Sequence, residues 1–165
     1  MKRLSCILAM AFMVASCGIY SFTGTSIQPD VNTITIPFVE NKAVQVNPSL
    51  SNDLTEALQE KFRKLTRLEQ VDVDGDLELV CEITGYDVKA TAITAQEQAA
   101  QNRLTVQVKI EFTNRKYPED DVSSSFSAYE DFDATLSLDA VESGLCETIV
   151  EKLVEDIFNA TVAQW

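Results

Sequence analysis

The stretch Leu104-Thr105-Val106-Gln107-Val108-Lys109-Ile110-Glu111-Phe112-Thr113 decides the fold class, because apolar and polar side chains alternate along it without interruption. One face of such a strand is apolar throughout and the other is polar throughout. A sheet built from strands of this kind buries one face under helices and leaves the other face open.

Similar alternation on both sides of this stretch predicts three more strands. Thr33–Phe38 places Ile34, Ile36 and Phe38 on one face, and Pro37 favours an edge position or an early end to the pairing. In the segment from Leu77 to Ala90 the apolar side chains move from odd-numbered to even-numbered positions at Gly85, which indicates either a β-bulge or a simple bend. A fourth, less regular strand contains Phe126, Ala128 and Phe132. Residues 90–102 are either an exposed loop or the tip of a long hairpin.

Two segments have the 3.6-residue apolar spacing of amphipathic helices. Asn47 is the expected N-cap of the first, with Pro48 at the first helical position. Its apolar stripe is Leu50, Leu54, Ala57, Leu58, Phe62 and Leu65. The second helix is predicted from about Leu138 to Ala163, capped by Ser137 or Asp139. Gly144 within it indicates close packing against a neighbour.

The resulting order is β-α-β-β-β-α. We therefore predict an α+β two-layer sandwich, in which a four-stranded, mostly antiparallel sheet carries both helices on one face. The first strand returns through a helix, which allows it a parallel neighbour. Residues 31–165 form this single domain.

The N-terminus resembles a bacterial lipoprotein signal. Residues 1–16 contain Lys2, Arg3 and a short apolar stretch, and Val14-Ala15-Ser16-Cys17 looks like a lipobox. Cys17 is then expected to carry a diacylglycerol and an N-acyl chain, with residues 17–30 as a lipidated N-terminus and tether. The alternative is a plain signal peptide with an incidental cysteine. Gly18, rather than aspartate, points towards the outer membrane.

Composition excludes several functions. The formal net charge is −13, and loss of Lys2 and Arg3 with the signal makes it −15, which argues against nucleic-acid binding. No histidine is present, so histidine-dependent triads are ruled out and the commonest metal ligand is missing. We expect no enzyme activity, no metal site and no cofactor other than the covalent lipid.

The remaining cysteines, Cys81 and Cys146, have two interpretations. They form a disulfide in an oxidising compartment, or they are buried free thiols. Sequence alone does not give the Cα distance that would decide between the two.

Charged side chains suggest two further hypotheses. Basic residues along the clearest strand and its neighbours are expected to contact an anionic ligand from one end of the sheet: Lys89, Arg103, Lys109, Arg115 and Lys116. The alternative is that they only balance nearby acids. Asp72, Asp74 and Asp76 faintly resemble a calcium loop but lack its closing glutamate, so solvated turn carboxylates are the preferred interpretation.

Six short stretches form an ordered set: residues 17–24 (CGIYSFTG), 77–79 (LEL), 83–86 (ITGY), 102–106 (NRLTV), 125–129 (SFSAY) and 156–165 (DIFNATVAQW). Together and in this order they resemble the LptE family of lipopolysaccharide-assembly lipoproteins, in its Bacteroidota form.

The resemblance implies a periplasm-facing outer-membrane lipoprotein. Such a protein plugs the LptD β-barrel, helps it assemble and interacts with lipopolysaccharide, and Arg103 and Lys89 are the nearest matches to the family's ligand contacts. The alternative function is an independent periplasmic ligand-binding lipoprotein with no barrel partner.

Overall fold

The computed structural model describes residues 27–45, 47–91 and 100–163. The predicted signal, the predicted lipidation site Cys17 and most of the predicted tether lie outside these residues. The elements are β1 (Thr33–Thr35), β2 (Glu40–Asn41), α1 (Leu50–Leu65), β3 (Glu69–Gln70), β4 (Leu77–Thr91), β5 (Gln101–Asn114), a 3-10 turn (Pro118–Asp120), β6 (Val122–Asp133) and α2 (Leu138–Thr161).

The strands form one mixed sheet in the order β3-β1-β4-β5-β6, with β2 also paired to β4. Strands β4, β5 and β6 are antiparallel, whereas β1 and β2 run parallel to β4 and β3 runs parallel to β1. The α+β class and the parallel placement of β1 are confirmed. The predicted count of four strands is wrong, because β2 and β3 have two residues each and are too short to show an alternating pattern.

A β-bulge interrupts the pairing of β4 with β5, as one of the two interpretations of Gly85 predicted. The register passes from Ile83 opposite Val108 to Gly85 opposite Gln107, which leaves Thr84 as the extra residue. The bulge keeps both Ile83 and Tyr86 in the core. The two strands stay paired as far as Thr91 and Gln101, so β4 and β5 form a long hairpin. Residues 92–99 of the predicted connection lie outside the described residues.

The first strand ends earlier than its alternation predicted. β1 stops at Thr35, two residues before Pro37, which has no N–H to donate. Ile34 and Ile36 are buried, but Phe38 is 61% exposed, so its predicted core position is wrong. Past Pro37 the strict alternation is lost, and Val39 enters the core in place of Phe38.

The start of α1 also differs from the prediction. The N-cap is Ser49, and Asn47 lies two residues before it. The Asn47 side-chain oxygen accepts the N–H groups of Ser49 (2.9 Å) and Leu50 (3.2 Å), so Asn47 still supplies the capping acceptor from further out. Leu65, at the other end of the stripe, is 46% exposed.

The two helices pack against each other and against the apolar face of the sheet. The rings of Phe62 and Phe158 meet edge to face with centroids 5.2 Å apart, and the inward side chains of β4 and β5 complete the core beneath them. Gly144 of α2 is exposed, and a Cβ at this position would have no neighbour within 4 Å, so the predicted close packing there is wrong. Within the described residues, no helix is long and apolar enough to cross a membrane.

Asp76 joins the start of β1 to the turn before β4. Its carboxylate accepts the N–H groups of Asn32 (2.8 Å) and Thr33 (3.3 Å) and pairs with Lys116 (2.9 Å). These donors favour the ionised form and lower the pKa of Asp76 to about 2, with the Asn32 N–H as the largest cause. Asp76 is therefore a structural acceptor.

Asp76→Asn is expected to lower the free energy of unfolding by about 2 kcal/mol at neutral pH. A carboxyl whose pKa is depressed on folding stabilises above its unfolded pKa near 3.9 and loses that effect as the pH falls towards 2. Urea unfolding at pH 7 and at pH 2.5 should show the difference between wild type and variant shrinking with acid. Asp72→Asn, in the exposed part of the same turn, is the control. A difference that does not change with pH would contradict this assignment.

Candidate functional site

The open face of the sheet carries a cluster near the β4–β5 hairpin tip, made of Lys89, Arg103, Tyr129 and Asp131. Lys89 lies opposite Arg103 across the β4–β5 pair, and Asp131 lies opposite Arg103 across the β5–β6 pair. Residues directly opposite in an antiparallel pair share a face. The register therefore assembles this hairpin-end cluster from three strands.

Arg103 is the centre of the hairpin-end cluster. Its guanidinium donates to both carboxylate oxygens of Asp131, from Nε at 2.7 Å and from Nη2 at 2.8 Å. The same group lies 3.7 Å from the ring centroid of Tyr129, a cation–π contact. This pairing raises the pKa of Arg103 and lowers the pKa of Asp131, so both groups stay charged. An anionic ligand must compete with Asp131 for the guanidinium.

Tyr129 was not predicted as a site residue, although it belongs to one of the stretches that carry the family resemblance. Its side chain is 48% exposed beside Arg103, and Lys152 lies 5.9 Å from its ring. An exposed aromatic ring flanked by cations provides a surface on which a sugar or another flat group can stack. Only the strand register reveals this proximity, because Tyr129 and Arg103 are 26 positions apart in sequence.

The other three predicted cations lie elsewhere, so the expected single cluster at one end of the sheet is wrong. Lys109 is six residues from Arg103 along β5, roughly 20 Å away, and pairs with Glu111 (2.8 Å). Arg115 and Lys116 follow the opposite end of β5. Arg115 binds Asp74 (2.8 Å) and Glu78 (3.2 Å), which joins two turns of the domain. Lys89 also has an acidic neighbour, Asp87.

The end of the domain opposite the hairpin-end cluster holds the incoming chain; we call it the entry end. The Gln28 side chain donates to Asp120 (2.6 Å), and the Tyr117 hydroxyl donates to Asp30 (2.9 Å). Arg67 donates to the carbonyls of Gln28 and Val31, and Lys116 donates to the carbonyl of Asp30. The hydrogen bond to Asp30 raises the pKa of Tyr117. These bonds fix where the N-terminal segment joins the fold.

The two cysteines are buried free thiols in this structure, Cys81 on β4 and Cys146 on α2. Burial raises the pKa of Cys81 to about 12 and also raises the pKa of Cys146. The Asn47 amide contacts the Cys146 sulfur at 3.7 Å. Both thiols stay protonated at neutral pH and are weak nucleophiles.

Comparison with known families identifies the family to which the fold region is similar. The family model described as lipopolysaccharide-assembly, LptE, matches residues 31–161. A search of curated proteins gives no match.

Solved structures share the fold at low sequence identity, and two of them serve as examples. A minor lipoprotein from Acinetobacter baumannii is 12% identical with a TM-score of 0.50, covering 77% of this chain and 89% of its own. A hypothetical protein from Chlamydia trachomatis is 6% identical with a TM-score of 0.54, covering 81% of this chain and 99% of its own. At these identities the likeness describes the fold alone.

Proposed function

The chain belongs to the LptE family of lipopolysaccharide-assembly proteins, and from this membership we propose that it is the lipoprotein subunit of an outer-membrane lipopolysaccharide transport complex. The observation that carries the proposal is the family match over residues 31–161, which includes every helix and strand described above. The family is a non-enzymatic one. The role is therefore to hold and position partners.

The lipid on Cys17 would hold the domain at the periplasmic side of the outer membrane. Ten residue steps separate Cys17 from Ile27, and a fully extended chain of that length spans at most about 35 Å. The entry end of the domain then lies within that distance of the bilayer. The acidic domain gains nothing from anionic lipid, so the anchor is the covalent lipid.

The shape and polarity of the domain suit a plug inside an LptD-like β-barrel. The hairpin-end cluster lies roughly 40 Å from the entry end along β5, because the strand runs from Gln101 to Asn114. A domain tethered at its entry end can therefore extend its hairpin into the lumen. The open face of the sheet carries mainly hydroxyl, amide and charged side chains, which match the polar interior of such barrels.

Lys89, Arg103 and Tyr129 are the proposed lipopolysaccharide contacts. The two cations would meet phosphate or carboxylate groups, and Tyr129 would stack on a sugar ring. The Asp131 carboxylate sets the strength of this contact, because a ligand must share or displace its bidentate pair with Arg103.

The combined change Lys89→Ala and Arg103→Ala is expected to lower the affinity for purified lipopolysaccharide at least fivefold, because both cations of the hairpin-end cluster are lost. Binding is measured with fluorescent lipopolysaccharide and the full-length protein in mild detergent. Lys64→Ala, an exposed lysine of α1, is the matched control. Co-purification of the barrel should persist in the double variant. Unchanged affinity for lipopolysaccharide would remove the cluster from the proposed site.

Affinity purification from membranes in mild detergent tests the complex itself. We expect a large outer-membrane barrel protein to co-purify with the chain, and depletion to reduce surface lipopolysaccharide. A lone monomer, with surface lipopolysaccharide unchanged on depletion, would instead support an independent periplasmic ligand-binding lipoprotein.

A further inference from the structure

Strand β6 is an outer strand of the sheet, and in the described part of the chain it pairs with β5 alone. Just beyond β6, the N–H of Ala134 donates to the carbonyl of Ala100 (3.0 Å). Antiparallel strands exchange backbone hydrogen bonds at every second residue, so the even-numbered residues of β6 are the ones that bond to β5. The odd-numbered positions Ser123, Ser125 and Ser127 therefore direct their backbone groups away from the sheet. The carbonyl of Tyr129, another odd position, accepts from Lys152 of α2 (3.2 Å), in agreement with this direction.

The first part of β6 lacks the features that usually protect a sheet edge. Residues 122–128 (VSSSFSA) contain no proline and no charged side chain. The register with β5 is unbroken from Val122 to Asp133, so no bulge twists the edge away. Long regular edges of this kind pair readily with another extended chain. The outer strand on the opposite side, β3, has only two residues.

A groove of about 560 Å³ runs between this edge and α2. It is lined by Ser127, Ala128 and Tyr129 from the strand and by Glu151, Lys152, Glu155 and Asp156 from the helix. Lys152 is paired with Glu130, and Glu155 is paired with Lys61. The carboxylates of Glu151 and Asp156 have no such partner among the described residues, so the groove is negative.

We propose that β6 accepts an extended segment of a partner protein as an additional strand, and that this segment carries lysine or arginine on the side facing α2. Backbone hydrogen bonds to Ser123, Ser125 and Ser127 supply the pairing. The carboxylates of Glu151 and Asp156 select a basic segment. Every second side chain of the partner's strand would lie on the open face, and the small serine side chains leave room for it there.

A second copy of this chain does not fit the same edge. It would bring an identical groove with the same excess of carboxylates, and each copy has a net charge of −13. Like charges placed together oppose association. The complementary occupant is a basic extended segment of a different protein.

The test uses a synthetic seven-residue peptide of alternating lysine and threonine and the full-length protein in mild detergent. Amide hydrogen exchange at Ser123, Ser125 and Ser127 should slow at least tenfold at saturating peptide. A peptide of alternating glutamate and threonine should have no effect. A lysine–threonine peptide with every second backbone amide methylated should also have none, because it keeps the charge but cannot form the ladder.

Ser125→Pro removes an outward N–H that β5 does not use, so peptide affinity should fall at least tenfold while the circular dichroism spectrum is retained. Ser125→Thr is the matched control and should bind normally. If the proline variant does not fold, the methylated peptide still decides the question.

Three results would overturn the proposal. Equal binding of the methylated peptide would show attachment by charge without an added strand. If the amides of Ser123, Ser125 and Ser127 exchange slowly without peptide, and more slowly as the protein concentration rises, the occupant is a second copy. If they exchange slowly without peptide at every protein concentration, the chain covers its own edge.

Discussion

Gly75→Ala is expected to lower the free energy of unfolding by about 3 kcal/mol, since the added methyl group has no room. A Cβ at this position would lie 2.7 Å from the backbone nitrogen of Thr35 and 2.8 Å from the carbonyl oxygen of Leu77. Both atoms belong to paired strands and cannot rotate aside. The Gly75 N–H also donates to the Thr35 hydroxyl (3.0 Å), so relief of the clash would break this bond.

The control for this prediction is Gly144→Ala, the same substitution in an open setting. Gly144 lies in α2 and has nothing within 4 Å of the added methyl group. Alanine favours a helix by about 1 kcal/mol over glycine, so this variant should gain stability. Urea unfolding followed by circular dichroism measures both changes. Equal effects at the two positions would contradict the steric explanation.

Phe62→Ala is expected to lower the free energy of unfolding by about 3–5 kcal/mol, because it removes the ring that fills the contact between the two helices. The Phe62 side chain is fully buried, and its ring meets Phe158 edge to face at 5.2 Å. Alanine would leave a cavity under α2, whose apolar side chains depend on this neighbour.

The matched control is Leu65→Ala in the same helix. Leu65 is 46% exposed, so its truncation should cost less than about 1 kcal/mol. A double-mutant cycle with Phe158→Ala should give a coupling of about 1 kcal/mol for the ring pair. A cost for Phe62→Ala as small as that for Leu65→Ala would show that the helices do not pack as described.

Sequence predicted the long elements well, for a physical reason. In β5 every second side chain is buried from Leu104 to Asn114, and in α1 the stripe returns every 3.6 residues, so the pattern repeats several times. Strands β2 and β3 have two residues each, and their pairing is decided by neighbours distant in sequence. Phe38 was misplaced because Pro37 ends the alternation just before it.

The candidate site was predictable only in part. Arg103 and Lys89 follow from their position on adjacent strands and from the family resemblance. Their grouping with Tyr129 and Asp131 depends on the β5–β6 register, which the irregular alternation of β6 does not reveal. From the sequence alone, Arg115 and Lys116 cannot be distinguished from Arg103 as candidate ligand contacts. Their partners Asp74 and Asp76 come close to them only in the folded chain, where the turn before β4 lies beside the turn after β5.

The position of β1 in the sheet has a consequence for the order in which the chain folds. Strands β4, β5 and β6 follow one another through hairpins, so their contacts close short loops and form early. Both partners of β1 lie more than 30 residues towards the C-terminus, and closing that loop is slower. The N-terminal segment that carries β1 is therefore expected to dock last, after β4, β5 and β6 have paired. Until it does, the part of the β4 edge that β1 covers stays unpaired.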